Sequence, residues 1–497
     1  MHDGSHLHDR PAGESATIRF RRLGERVRSV ELNTRLGVVR SLRGLTIEAD
    51  GPRTRVGELC AIVASGAEDP VALRRAALEH PSHAGRGPVL AEVVAVGSSH
   101  VTLMPYGDME GLATGSTVVA LGAHSEMSVG DGLLGRVIDG FGRPLDGAAP
   151  PILERSVPVK GTPINPMRRP RIEKRLDTGV RCIDGLLTLG QGQRVGIFAG
   201  SGVGKSTLLA MIARHVRADV NVIALIGERG REVREFIEKQ LGDAGMRRSV
   251  VVVASADQPA LARIRAAHAA LAIAEDFRAQ GKQVLLTMDS ITRFAMARRE
   301  VGLSAGEPPT ARGYTPSVFA ELPQLCERCG TAPSGGSITA LLTVLVEGDD
   351  MNEPVSDALR AILDGHIVLS RHLAHQGQYP AIDVLKSASR LLPDLTSSEE
   401  RALIQEAVHA IALLERNRQM VELGAYEKGS NPELDAALAS LPRLRAWFAQ
   451  VEGGVAREDT MRSLLDWRAA FQAATVRPDS VAQPAAAGRA PSMRKAA

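Results

Sequence analysis

The run Ala199-Gly200-Ser201-Gly202-Val203-Gly204-Lys205-Ser206-Thr207 has the residue types and spacing that hold phosphate. Its glycines let successive backbone N–H groups turn inward around phosphate oxygens at the positive end of a helix. Lys205 would reach the β- and γ-phosphates of a nucleotide, and the Ser206 hydroxyl would ligate Mg²⁺. Ser201, Gly202, Val203, Gly204 and Thr207 supply the rest of the cradle. Ala199 stands where such loops usually start with glycine, and alanine is small enough not to obstruct them. A phosphate loop also needs a carboxylate on a neighbouring strand to hold the metal's water shell. Asp289 fits, closing the apolar run Val284-Leu285-Leu286-Thr287-Met288, although an aspartate there equally caps a following helix. Hydrolysis needs a further group to orient the attacking water. Gly227-Glu228-Arg229-Gly230-Arg231-Glu232 follows an apolar stretch, and a carboxylate at such a strand end can polarise water. Composition does not choose between Glu228 and Glu232.

These residues require elements that bring them together. From about 190 to 370 apolar strands alternate with amphipathic helices: strands at 194–199, 221–227, 249–254, 283–289, 337–347 and 366–369. Strict alternation predicts a parallel sheet covered on both faces, an α/β core. The phosphate loop falls between the first of these strands and a helix with the apolar face Leu208, Leu209, Ile212 and Val216. Ahead of the core, residues 29–122 read as short strands punctuated by glycine (44–51, 57–63, 91–97, 100–107), which predicts a small barrel or sandwich. A helix-like and Gly/Pro-rich stretch, 66–88, interrupts it as a surface insertion. Beyond 391 only helical patterns appear, at 397–423, 432–451 and 457–474, which predicts a helical domain over 391–475. Residues 476–497, rich in Ala and Pro, read as a disordered tail. Residues 1–28 form an arm. In it Arg19, Arg21, Arg22, Arg26 and Arg28 interleave with Phe20, Leu23 and Val27, as either a solvated lead-in or a partner-binding helix.

Composition excludes several classes. With 60 Lys+Arg against 57 Asp+Glu the chain carries only +3, which is not a coat of cation for nucleic acid. At 3% aromatic residues, rows of rings for stacking unpaired bases are scarce. No apolar run approaches the roughly 18 residues of a membrane span, and the polar start is not a signal peptide, so the expected location is cytoplasmic. Four cysteines are too few for a disulfide framework. Cys326 and Cys329 make one CxxC with no second pair to complete a zinc site. They fall in a helical pattern from Pro316 that ends at Gly330 and read as small buried side chains.

The loop, the Gly-Glu-Arg-Gly-Arg-Glu segment and three longer runs together resemble the rotary-type ATPase family. The runs are MDSITRFAMARREVGLSAGEPPTARGYTPSVF (288–319), VEGDDMNEPVSDALRAILDGHIVLSR (346–371) and YPAIDVLKSASR (379–390). Within that family the chain looks most like the flagellum-specific type III export ATPases, and next like the injectisome ATPases. The resemblance implies an N-terminal β-barrel, a RecA-like P-loop core over 123–390 and a C-terminal helical domain. It implies Glu228 as the catalytic carboxylate, with Arg229 and Lys205 beside it, and Tyr379 as the aromatic residue on the adenine ring. Arg390 matches the arginine that reaches into a neighbouring subunit's site, with Arg371 as second choice. ATP and Mg²⁺ are the implied ligands and a homohexamer the implied assembly. The implied partners are a regulator–stator protein at the N-terminal segment, a central stalk protein, the export gate and chaperone–substrate complexes, with no specific nucleic acid. Attachment at the inner face of the cell membrane would run through those partners. An RNA-translocating hexameric helicase shares the RecA-like core but needs a barrel with exposed aromatics, and 29–122 offers only Tyr106.

Overall fold

The computed structural model describes residues 34–63, 88–122, 125–346, 348 and 350–475. The arm 1–28, nearly all of the insertion 66–88 and the tail 476–497 lie outside them. The chain divides into two compact units: 1–126 with 258–264 and 297–309, and 127–257 with 265–296 and 310–497.

In the first unit six antiparallel strands close a barrel in the order β1-β2-β5-β4-β3-β6. They are β1 (Leu36–Arg43), β2 (Thr46–Asp50), β3 (Leu59–Val63), β4 (Val89–Val96), β5 (Val101–Pro105) and β6 (Thr117–Gly122). Alternation does the work: in β2, Ile47 and Ala49 point inward while Thr46, Glu48 and Asp50 do not. Val39, Ile62, Val93, Leu103 and Val118 join them in the barrel core. β1 and β6 fall outside the strands the sequence predicts: the alternation in LGVVRSLR is broken by glycine and arginine, and TVVALG is a short run buried at its four central residues, with no alternation.

The second unit is built on a sheet ordered β14-β13-β8-β12-β11-β9-β10-β7. Its strands are β7 (Val137–Ile138), β8 (Arg194–Ala199), β9 (Val220–Ile226), β10 (Ser249–Ala254), β11 (Gln283–Asp289), β12 (Ser337–Leu345), β13 (Gly365–Leu369) and β14 (Ile382–Ser389). These run parallel except β14, which pairs antiparallel to β13, and a ninth, two-residue strand, Gly330–Thr331, pairs antiparallel to β12 off this path. β9 and β10 are buried at every residue, as strands covered on both faces must be.

Helix α1 (Lys205–His215) follows β8, and α2 (Pro316–Glu327) precedes β12. Cys326 and Cys329 are buried and free, and burial pushes both thiols up, Cys329 to about 12. Both stay protonated at neutral pH. Three helices end the described chain: α3 (Ser398–Glu422), α4 (Pro432–Phe448) and α5 (Arg457–Thr475). Ser397 starts α3 with a capping box, its hydroxyl accepting from Glu400 N–H at 3.1 Å while the Glu400 carboxylate accepts from Ser397 N–H at 3.0 Å. Asn431 caps α4. Leu403, Leu434, Trp447, Phe448 and Trp467 of these helices share one apolar core with Leu208, Leu209 and Ile212 of α1. Among the described residues no helix is long and apolar enough to cross a membrane.

Candidate active site

β8, β12, β11 and β9 are adjacent and parallel, so their C-terminal ends form one edge. At it β8 delivers the phosphate loop, β11 delivers Asp289, and the segment after β9 delivers Glu228. Gly204 caps α1 in a left-handed conformation, φ 87°, and the helix start has no side-chain cap and no acidic residue in its first turn. Its first N–H groups therefore remain available to an anion. Val203 is buried beneath the loop, while Ser201, Gly202 and Thr207 face solvent and Ser206 is half-buried. The Tyr379 ring closes one side: a Cβ on Gly204 would sit 3.3 Å from it. Any side chain at 204 would thus meet both the strained φ and the ring.

Lys205 Nζ donates to Asp289 Oδ1 at 2.6 Å and lies 3.7 Å from Glu228 Oε1. The Asp289 side chain is only 5% exposed. Burial, first, and then the Asp289 charge and a hydrogen bond with Glu232 push the Glu228 carboxyl up to about 7, against the opposing pull of Lys205. A carboxyl titrating near neutrality beside a lysine is suited to take up or orient a water proton. The oxygen donors Ser206 and Asp289 suit a hard cation such as Mg²⁺, and the uncapped helix start suits its phosphate partner.

The three arginines lie apart from the Lys205 cluster. Arg229 neighbours Glu228 in the chain, yet its side chain is 83% exposed and lies 3.5 Å from Glu232. Arg371 starts two residues after Leu369, which pairs with Ala199 at the edge of its own phosphate loop. Arg390 lies at the other edge: Ser389 pairs with Gly365, which pairs with Val195 at the start of β8. Four residue steps of strand, about 13 Å, separate the two levels. Thr343 was missed. Its hydroxyl, near the C-terminal end of β12, donates to Asp289 Oδ1 at 2.7 Å and is fully buried. Nothing sets it apart in sequence from Ser337 and Thr339 of the same strand.

Three family models match this chain. Residues 179–389 match the nucleotide-binding domain of the ATP synthase alpha/beta family. Residues 39–122 match the beta-barrel domain of that family, and 396–466 match the T3SS EscN ATPase C-terminal domain. The chain belongs to the ATP synthase alpha/beta family. It is 50% identical over 416 residues to the flagellum-specific ATP synthase of Bacillus subtilis (strain 168), covering 84% of this chain and 91% of that one. The assembled ATPase EscN of the enteropathogenic E. coli type III secretion system superimposes with a TM-score of 0.79 at 42% identity, over 87% of this chain and 99% of that one. EscN in complex with its central stalk EscO gives a TM-score of 0.77 at 41% identity, over the same shares of the two chains. The expected barrel, RecA-like core and helical C-terminal part are all present.

Proposed function

We propose that this chain hydrolyses ATP at sites shared between the subunits of a homohexamer and energises type III protein export for flagellum assembly. The observation that carries the chemistry is the convergence of Lys205, Asp289 and Glu228 on an uncapped helix start. The flagellar assignment is supported by 50% identity to a flagellum-specific relative against 42% to EscN.

Backbone N–H groups of 202–207 bind the phosphates, and Lys205 turns from Asp289 to the β- and γ-phosphate oxygens. Ser206 and, through water, Asp289 would hold Mg²⁺, which when bound would neutralise phosphate charge. Glu228 orients the attacking water, with a carboxyl poised near pH 7. Tyr379 packs on the adenine. Arg390 is too far along the sheet to serve its own chain's phosphate loop, so it stabilises the transferring phosphoryl group of a neighbouring subunit. Arg229, next to Glu228 in the chain and exposed beside Glu232, is a further cation proposed to serve this site.

The assembly proposed is a hexamer around a central stalk protein, by analogy with EscN and EscO. A stator at the N-terminal segment, the export gate and chaperone–substrate complexes complete it, and they hold the ATPase at the cytoplasmic face of the membrane. A helicase reading loses its only aromatic candidate in the barrel, because Tyr106 is buried and its hydroxyl donates to Glu92.

The test is steady-state ATPase rate against protein concentration, for wild type and Glu228→Gln, with ADP binding measured in parallel. The expected result is a rate per subunit that rises with concentration, and that falls by about 10²–10⁴ in a variant that still binds ADP. A concentration-independent rate would reject the shared site.

A further inference from the structure

Tyr379 is held by the helical part of the chain. The loop that leaves α4 puts the Gln450 backbone N–H 2.8 Å from the Tyr379 carbonyl oxygen, as donor. Gln450 itself is only 4% exposed, and its amide is satisfied on both sides. Nε2 donates to the Gly179 carbonyl at 2.8 Å, and Oε1 accepts from the Arg181 backbone N–H at 2.9 Å. Arg181 returns the contact through Nη2, which donates to the Ala449 carbonyl at 2.9 Å. Gly454 and Val455 N–H groups reach the same Gly179 carbonyl at 3.2 and 3.3 Å. The 449–455 loop is thus laced to 179–181, just ahead of β8. It also packs on His215, the last residue of the phosphate-loop helix, closely enough to leave no room for a Cβ on Gly453.

A buried glutamine that bonds two backbone groups of a distant segment specifies one placement of its loop, since any shift leaves those groups unpaired. Here the same loop carries the amide that fixes the Tyr379 backbone, and the Tyr379 ring lies against Gly204. We propose that Gln450 is a positioning residue for the base-binding side of the nucleotide site. Its side chain anchors the 449–455 loop to Gly179 and Arg181, and the anchored loop holds Tyr379 over the phosphate loop. The placement of the helical part then sets affinity for the nucleoside portion and leaves the phosphate cradle alone. The inference rests on the reading of Tyr379 as the residue that packs on adenine.

The test is a double-mutant cycle of Gln450→Leu and Tyr379→Ala, read by calorimetric binding of ADP and of inorganic pyrophosphate to the full chain. Gln450→Leu should weaken ADP about fivefold to tenfold, the weight of one or two hydrogen bonds, and leave pyrophosphate unchanged. In the Tyr379→Ala background it should add nothing. Equal weakening of ADP and pyrophosphate, unchanged ADP affinity, or effects that multiply in the double variant would each overturn the proposal. Tyr379→Ala with wild-type ADP affinity would instead reject the adenine reading itself. Should Gln450→Leu fold poorly by thermal melting, Gln450→Glu serves. It keeps the acceptor for Arg181 N–H, sets a second oxygen against the Gly179 carbonyl, and must pass the same cycle.

Discussion

The two edges of the parallel sheet both carry charged residues and use them in opposite ways. At the C-terminal edge Lys205 is divided between Asp289 and Glu228, and Glu228 is pushed up to about 7 by burial and by the neighbouring aspartate. At the N-terminal edge Arg194 makes a two-pronged pair with Asp364, at 2.9 and 3.0 Å, and also reaches Glu327. Arg169 donates there to the carbonyls of Ile164 and Cys329 at 3.1 and 2.6 Å. A cavity of about 550 Å³ opens between these groups, lined by Arg169, Arg171, Glu173, Arg194, Asp364 and Asp394. Charges that satisfy one another stabilise a fold, whereas charges left in competition are ready to exchange partners with a ligand. Arg390 belongs to the satisfied edge by position but is exposed, with Nη2 donating to the Arg360 carbonyl at 3.2 Å. That fits the proposal that it acts at a neighbouring subunit's site.

The sharpest way to break this contrast is Arg390→Ala. Turnover should fall by about 10³–10⁵ while ADP affinity per subunit is kept, and mixing with Glu228→Gln subunits should restore some rate. Failure of such mixing to restore any rate would count against a shared site. Glu228→Gln alone should lower turnover by about 10²–10⁴, with ADP binding retained. Arg194→Ala tests the other edge. It should cost about 1–3 kcal/mol of stability by denaturant melting, because the Asp364 carboxylate keeps only the residue 194 backbone N–H at 3.0 Å, yet leave turnover of the folded protein unchanged. A smaller effect concerns pH. Glu228 must be ionised to act, so kcat/KM should rise with pH through about 7 and then level off. Glu232 raises the Glu228 value through both its hydrogen bond and its charge. Glu232→Gln should therefore move the limb to lower pH, and an unmoved limb would mean that another group titrates.

Much of this was legible in the chain itself. The strands at 194–199, 249–254 and 283–289 were placed to the residue, because strands buried on both faces are continuous apolar runs with sharp ends. The helices after 391 were found within a few residues, since SSEE and NPEL are N-terminal capping patterns. β1 is hard to read because a half-exposed strand interrupted by arginine carries a weak pattern, and β6 because TVVALG is a short buried apolar run with no alternation to mark it. β14 was missed because DVLKSAS alternates poorly and faces solvent along much of its length.

The sequence by itself determined which residues bear chemistry: the spacing of glycines, lysine and serine in one loop, and carboxylates at the ends of apolar strands. Only the tertiary structure decided which of them meet. Strand order, which no local pattern encodes, set β11 and β9 beside the phosphate-loop strand and so put Asp289 and Glu228 against Lys205. Register sent Arg390 to the far edge while keeping Arg371 at the near one. Long-range hydrogen bonding enlisted Thr343 and Gln450, two unremarkable residues in sequence. Spacing reports what neighbours along a chain can do, whereas packing depends on the joint burial of distant segments, a property of the whole fold.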